Sequence, residues 1–341
     1  MSDLLTHGRL QRWQAVASAA GGAIVAASLF AITPMEGRAD FIVVAYCLAV
    51  SGYLVAAGRI EGRRQAVDRF FHALVITAVA VSLLAIGAVL VYTAARGADA
   101  LKADFFRNTM NGVGVRDTTG GAKHAIIGTI EQVLLASLLA VPAGLLVAIY
   151  TVEYGRGRLA IVLRSTIDVM TGVPSIVAGL FIYAFWVLGL HKGFSGFAAA
   201  MALTLLMLPI VVRSAEEMLR LVPATLREAS YALGVPRWRT VLSVVLPSAS
   251  AGITTGVMLA VARVTGETAP LLLTAFGNNG MNTNAFKGPQ SALPLFVFQQ
   301  AGSAFATSVA RAWAGALTLI VVVLILTTIA RLLTRRNRLA T

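Results

Sequence analysis

Ten stretches of the chain carry no Asp, Glu, Lys or Arg: residues 13–35, 41–58, 70–95, 132–152, 169–191, 193–212, 240–262, 268–286, 288–310 and 312–330. Each approaches the roughly 20 residues that an α-helix needs to cross a hydrocarbon core of about 30 Å. Two fail as complete spans. The stretch 268–286 ends in Gly277-Asn278-Asn279-Gly280-Met281-Asn282-Thr283-Asn284, and 288–310 contains Pro289, Pro294 and the pair Gln299-Gln300. Turn-forming backbone of that kind belongs in water or against protein. Segment 293–306 is apolar enough for a re-entrant or interfacial helix. The pattern predicts an all-α integral membrane protein with eight transmembrane helices.

Composition agrees. Of 341 residues, 57% are apolar and 13% charged, and the mean hydropathy is +0.80, which leaves too few polar residues to coat a soluble fold. The net charge of +13 does not indicate a nucleic-acid partner, because the basic residues lie between the apolar runs. With the N-terminus placed in the cytoplasm, 18 Lys and Arg fall on the cytoplasmic side and 9 on the other, which predicts that both termini are cytoplasmic. Cys47 lies inside an apolar run and reads as a small buried hydrophobe; a single cysteine excludes an internal disulfide.

The first run follows Arg9 and Arg12 but lacks a small-residue cleavage site, so it reads as an uncleaved helix. Residues 1–68 form a two-helix transmembrane hairpin before an arginine-rich connection, with Gly21, Gly22 and Gly52 as packing positions. Residues 69–341 form the main membrane domain.

Between Val212 and Ala251 the cytoplasmic connection, residues 214–249, is too long for a simple turn. Pro223 opens a helix in which Leu226, Ala229, Ser230 and Leu233 recur at three- and four-residue spacing, with Arg227, Glu228 and Tyr231 on other faces. Gly234 and Pro236 end it. Such a helix either lies solvated or interfacial, or docks its apolar stripe on another protein.

The string Glu228-Ala229-Ser230, three residues, Gly234, nine residues, Val244, one residue, Leu246-Pro247 resembles the EAA loop of ATP-binding-cassette importer permeases. Ser230 replaces that motif's second alanine and Val244 its isoleucine. The resemblance implies a coupling helix seated in a groove of a cytoplasmic ATPase. Ala229, Ser230 and Gly234 would permit close approach, Glu228 would offer a carboxylate, and Leu246-Pro247 would mark the return to the bilayer. The chain has no G-x-x-x-x-G-K-[ST] loop, so the expectation is that it binds no cofactor and that a partner uses ATP and magnesium.

Ionisable groups at membrane depth cost about 2.5–3.5 kcal/mol even on the lenient insertion scale, so each needs a reason. Asp168, close to Arg164, reads as a surface pair near a span end, and Glu131, near Lys123 and His124, as interfacial. Arg263 and Glu267 sit between apolar Thr240–Ala262 and Leu271-Leu272-Leu273. Their i, i+4 spacing leaves two readings open: an internal ion pair, or an arginine facing a path for anions with a carboxylate that holds it or rejects wrong solutes.

The string Ala262-Arg263-Val264-Thr265-Gly266-Glu267-Thr268-Ala269-Pro270-Leu271 is similar to the corresponding segment of PstA-type permeases of bacterial phosphate importers. So are Gly120-Gly121 before His124-Ala125-Ile126-Ile127-Gly128-Thr129, the run Ala148–Tyr154, and Gly172-Val173-Pro174-Ser175-Ile176-Val177. The likeness covers about residues 104–331. It implies a six-helix type I importer core, with the first hairpin as an addition, in the bacterial inner membrane. Arg263 and Glu267 would serve the phosphate path, with Arg213 a further candidate and Pro174 a hinge or a tolerated kink. The implied partners are a homologous PstC-type permease, two cytoplasmic ATPase copies and an extracytoplasmic phosphate-binding receptor docking on loops 96–124 and 275–309, within membrane lipid and without nucleic acid.

Two other readings compete. One is a permease for another oxyanion or an organic solute. The other is an autonomous ion-coupled carrier using Glu267 or Glu131 as its proton site. An intramembrane enzyme is disfavoured: neither H-E-x-x-H nor G-x-S-x-G occurs, and His7, His72, His124 and His191 are far apart.

Overall fold

A computed structural model describes residues 12–32 and 38–338. The expectations that fall on Arg9, His7 and the end of the first run at 33–35 lie outside those residues. Two compact units pack separately, residues 1–91 and 92–341. The charge pattern draws its line after residue 68; the packing division falls instead between Val91 and Tyr92, inside one long helix.

The first unit contains α1 (Arg12–Ile32), α2 (Arg38–Ile60) and most of α3 (Arg63–Ala100), with the turn into α3 made at Gly62, whose φ is +93°. At Gly22 a Cβ would stand 2.4 Å from the Ala49 nitrogen, so this glycine lets α1 and α2 touch; Gly21 faces open space. Phe30 meets the edge of Phe41 at 5.2 Å. Arg69 holds Glu61 through two 2.6 Å bonds. Cys47 is exposed, not buried as its apolar run suggests. A side chain exposed on a span of this kind meets lipid.

The second unit begins with the end of α3 and the short α4 (Ala103–Arg107). Then come α5 (Lys123–Ile149), continued by a π-helical turn over Tyr150–Tyr154, and α6 (Arg158–Thr171). Next are α7 (Ser175–Ile182), continued by a π-helical stretch over Tyr183–Gly189, and α8 (Gly196–Leu221). The rest is α9 (Ala224–Ala232), α10 (Arg237–Thr240), a π turn over Val241–Val245, α11 (Leu246–Thr265), α12 (Ala269–Thr274), α13 (Leu293–Ala301) and α14 (Ala306–Arg338). The centre is built from α5, α8 and α11, where Ala136, Ala140, Ala199, Ala200, Met207, Val211 and Ala260 are buried together. Small residues allow the close approach on which helix association in lipid depends. Gly144 receives Val211, and Gly256 receives Ser214. The outward side chains are large and apolar, Leu138, Leu146 and Val169 among them.

Among the described residues six helices are long and apolar enough to cross a bilayer: α2 from Asp40, α3, α5 with its π turn, α10 joined through its π turn to α11, α8, and α14 to Ile329. The expected span 169–191 is not one helix. α6 and α7 meet at 110°, and counted together they make a seventh. Gly172 caps α6, and Pro174, with ψ of 142°, starts α7 afresh; its ring and missing N–H prevent continuation from α6. The described part of α1, Ala20–Phe30, is a shorter apolar helix, so among the described residues the expected count of eight is not confirmed.

The two stretches rejected as spans contain the short α12 and α13 and, at the end of the second, the first residues of α14. Between them the chain turns on its own asparagines: Asn278 Oδ1 accepts from Gly280 N at 2.9 Å, and Asn282 Nδ2 donates to the carbonyls of Lys287, Gly288 and Pro289.

Candidate functional site

The loop after α8 folds as its punctuation predicts. Pro223 caps the start of α9, and Gly234 adopts a φ of +76°, a left-handed conformation costing an L side chain about 1–2 kcal/mol. Leu226, Glu228, Ala229 and Leu233 are exposed, with Leu233 84% accessible. Ser230 does not share that face. It is only 7% exposed, and its hydroxyl is 2.8 Å from that of Thr240 in α10. The inward face of α9 therefore runs through Arg227 and Ser230, and the exposed apolar stripe is Leu226, Ala229 and Leu233. Leu246 likewise turns inward and packs with Val212, Ala215 and Ala249, whereas Pro247 is exposed in the first turn of α11. The π turn Val241–Val245 absorbs the bond that this proline cannot donate.

Beneath α9 lies a set of charges that hydropathy alone did not single out. Glu153, in the π turn after α5, is 4% exposed, and Glu216, on α8, is 3% exposed. A carboxylate so buried must be paired and hydrogen-bonded. Arg227 Nη2 and Nε lie 2.7 and 3.1 Å from Glu153 Oε1, and the same guanidinium donates to the carbonyls of Val222 at 2.6 Å and Leu219 at 2.9 Å. Arg237 donates to the Glu153 carbonyl and stacks over the Tyr154 ring at 5.0 Å. Glu216 accepts from the Thr151 hydroxyl and faces Arg213 at 3.4 Å and Arg220 at 4.0 Å. In sequence Glu153 and Glu216 stand near the ends of apolar runs, and Glu153 lies within the family-like run Ala148–Tyr154, but neither signal shows that they are buried.

Arg213 also pairs with Asp168. The expected partner of Asp168, Arg164, donates instead to the Thr151 carbonyl at 2.7 Å. Arg213 thus belongs to this network, joining α6 to α8.

Arg263 and Glu267 do not form the internal ion pair. The i, i+4 argument assumes a continuous helix, but α11 stops at Thr265 with Gly266 as its cap, and α12 starts at Ala269. Arg263 is exposed and Glu267 half-buried, and no ion pair joins them among the described residues. The break packs beside the other broken helix: a Cβ on Gly179 of α7 would stand 2.6 Å from Pro270 Cα of α12. Discontinuous helices facing each other are a recurrent setting for solute paths in membranes.

Glu131 is held structurally. Its Oε2 accepts from Gln290 at 2.6 Å, and Gln290 in turn accepts from Gln132 at 3.0 Å. A carboxylate so engaged fits the interfacial reading better than that of a proton site.

Residues 140–339 match the family of binding-protein-dependent transport system inner membrane components. The phosphate transport system permease protein PstA 1 of Mycobacterium tuberculosis (strain ATCC 25618 / H37Rv) is 46% identical over 242 residues, 70% of this chain and 79% of the relative. The PstA protein of Pasteurella multocida (strain Pm70) is 42% identical over 238 residues, 70% and 83% of the two chains. A chain of the inward-facing MetNI methionine ABC transporter superposes with a TM-score of 0.49 at 18% identity, over 63% of this chain and 94% of that one. With the family match spanning more than half its length, this multi-pass chain belongs to the binding-protein-dependent transport system inner membrane components.

Proposed function

We propose that the chain is the membrane-spanning permease subunit of an ATP-driven phosphate importer. The observation that carries this reading is its 46% identity, over 242 residues, with a phosphate transport permease. In the assembly we propose, a homologous PstC-type permease supplies the other half of the path, two cytoplasmic ATPase copies supply the energy, and an extracytoplasmic receptor delivers phosphate. Both termini face the cytoplasm in this arrangement, as the excess of Lys and Arg there supports.

The exposed stripe Leu226, Ala229 and Leu233 is the surface offered to the ATPase, with Glu228 beside it and Gly234 setting the exit of the chain. Closure of the ATPase pair moves α9, and that movement exchanges inward- and outward-open states of the bundle. Arg263, a cation at a helix break with no ion pair among the described residues, faces the phosphate path, and Glu267 stands beside it. Arg213 steadies the cytoplasmic end through Asp168 and Glu216.

Reconstitution in vesicles tests the assignment. With both permeases, the ATPase, the receptor and internal ATP, inorganic phosphate is taken up; omission of either the ATPase or the receptor abolishes uptake. Phosphate accumulation by this polypeptide alone, driven by an ion gradient, would show an autonomous carrier instead. A Leu233→Asp substitution places a charge in the stripe and is expected to weaken retention of the ATPase at least about ten-fold, read by co-purification. Undiminished retention would remove the stripe from the interface.

A further inference from the structure

We infer that Arg227 and Glu153 form the joint through which movement of α9 reaches the membrane bundle; this rests on the coupling role proposed for α9. The helix has nine residues and presents a single buried side chain, Ser230. Its backbone runs into the bundle through the bends at Val222-Pro223 and Leu233–Pro236. So small a rod, pushed by an external partner, pivots about those bends unless a stiff side contact resists.

Arg227 supplies that contact. Its planar guanidinium makes four bonds to three places: Nε and Nη2 to the carboxylate of Glu153, Nη1 to the Val222 carbonyl, and Nη2 to the Leu219 carbonyl at the end of α8. Free carbonyls at a helix C-terminus attract a cation, and the fork geometry of arginine satisfies two of them while engaging a carboxylate. Glu153 is held from its other side as well, since its carbonyl accepts from Arg237, beyond α9. A displacement of α9 is thereby delivered to the ends of α5 and α8 together, the two helices that build the central core.

Among the described residues no other arginine of the loop ties α9 itself to a carboxylate of the bundle. Arg213 and Arg220 belong to α8, where they pair with Glu216 and Arg213 also reaches Asp168; Arg237, in α10, reaches only the Glu153 carbonyl; and Arg239 makes no ion pair. Burial sets the strength of the joint, because losing one member strands the other's charge in a site with little water.

The test uses the complete assembly in vesicles with external inorganic phosphate. Arg227→Ala and Glu153→Ala are each expected to lower the phosphate taken up per ATP hydrolysed at least about ten-fold, with the ATPase still co-purifying. Arg227→Lys keeps the charge but not the fork and falls between parent and alanine variant; the exchange Arg227→Glu with Glu153→Arg recovers part of the loss. Unchanged uptake per ATP in both alanine variants overturns the joint. So does loss of ATPase retention in all variants, Arg227→Lys included, which would make Arg227 a docking or folding element. Failure of the functional reading is visible separately, as absence of phosphate uptake by the unaltered assembly. The joint is then judged by the ratio of receptor-stimulated to basal ATP hydrolysis, which it is expected to sustain and which the alanine variants lose.

Discussion

Placing valine at Gly128 is expected to destabilise the chain by about 3 kcal/mol or more, read as a clear drop in its melting midpoint in detergent. A Cβ at this position would lie 2.0 Å from the Ser291 carbonyl oxygen and 3.2 Å from Gln290 Cγ. The obstruction is backbone, which cannot rotate away. To admit the side chain, α5 must separate from the segment before α13, and two bonds that fasten it there break: Leu293 N to Thr129 Oγ1 at 2.7 Å, and Gln132 Nε2 to the Ser291 carbonyl at 3.3 Å. Leu293 N and the Ser291 carbonyl then lose these partners in a buried site, each at about 1–3 kcal/mol when left unsatisfied, whereas Thr129 Oγ1 keeps its bond to the Ala125 carbonyl. Gly87→Val is the control, since a Cβ there meets nothing within 4 Å. Equal midpoints for the two variants would show that the segment before α13 is not seated on α5.

That seat illustrates what the sequence could and could not convey. Hydropathy places the long helices because lipid imposes the same apolar requirement on every residue of a span, and α3, α5, α8 and α14 lie where their charge-free runs predict. It also rejects 268–286 and 288–310, where Asn, Gly and Pro make turns. It cannot foresee that Gly128 and Gly196 are the notches into which that irregular segment fits, because a glycine inside an apolar run looks the same whether it faces a neighbour or open space.

Breaks within helices were legible only in part. The signals Gly172 and Pro174 stand in the fifth run, but whether a proline kinks a helix or turns it through 110° depends on whether something receives the redirected chain. Here α12 does so at Gly179. The same limit applies to α9. Pro223, Gly234 and Pro236 fix its ends from sequence, yet its three- and four-residue spacing does not reveal which side faces the bundle. Ser230 reads as part of the exposed stripe until Thr240 is seen opposite it. Glu153 was invisible as an anchor because its arginine comes from 74 positions away and only the fold brings the two together; the arginines of Glu216 lie three and four residues away on the same helix, and what the sequence does not reveal there is the burial of the carboxylate.

The same reasoning separates the two roles that i, i+4 spacing left open for Arg263, and it sets the other large effect. Arg263→Ala is expected to reduce phosphate uptake about 100-fold in the reconstituted assembly, with no loss of assembly. At an effective dielectric of about 20, a unit charge pair at about 4 Å interacts by about 4 kcal/mol. Forfeiting two-thirds of that in the rate-limiting crossing corresponds to about two decades of rate. Assembly is spared because Arg263 is exposed and makes no ion pair with Glu267, so its removal strands no buried partner. Arg263→Lys, a point charge without the planar fork, is expected to retain a measurable fraction. Glu267 acts in the opposite sense. Phosphate near neutral pH carries a proton that it can donate to a carboxylate, whereas sulfate has none and meets only repulsion. Glu267→Gln is therefore expected to raise sulfate uptake relative to phosphate, measured by competition with labelled phosphate. Uptake within two-fold of the parent in Arg263→Ala would place this arginine off the path, and an unchanged sulfate-to-phosphate ratio in Glu267→Gln would do the same for the carboxylate, leaving the break between α11 and α12 as a packing feature alone.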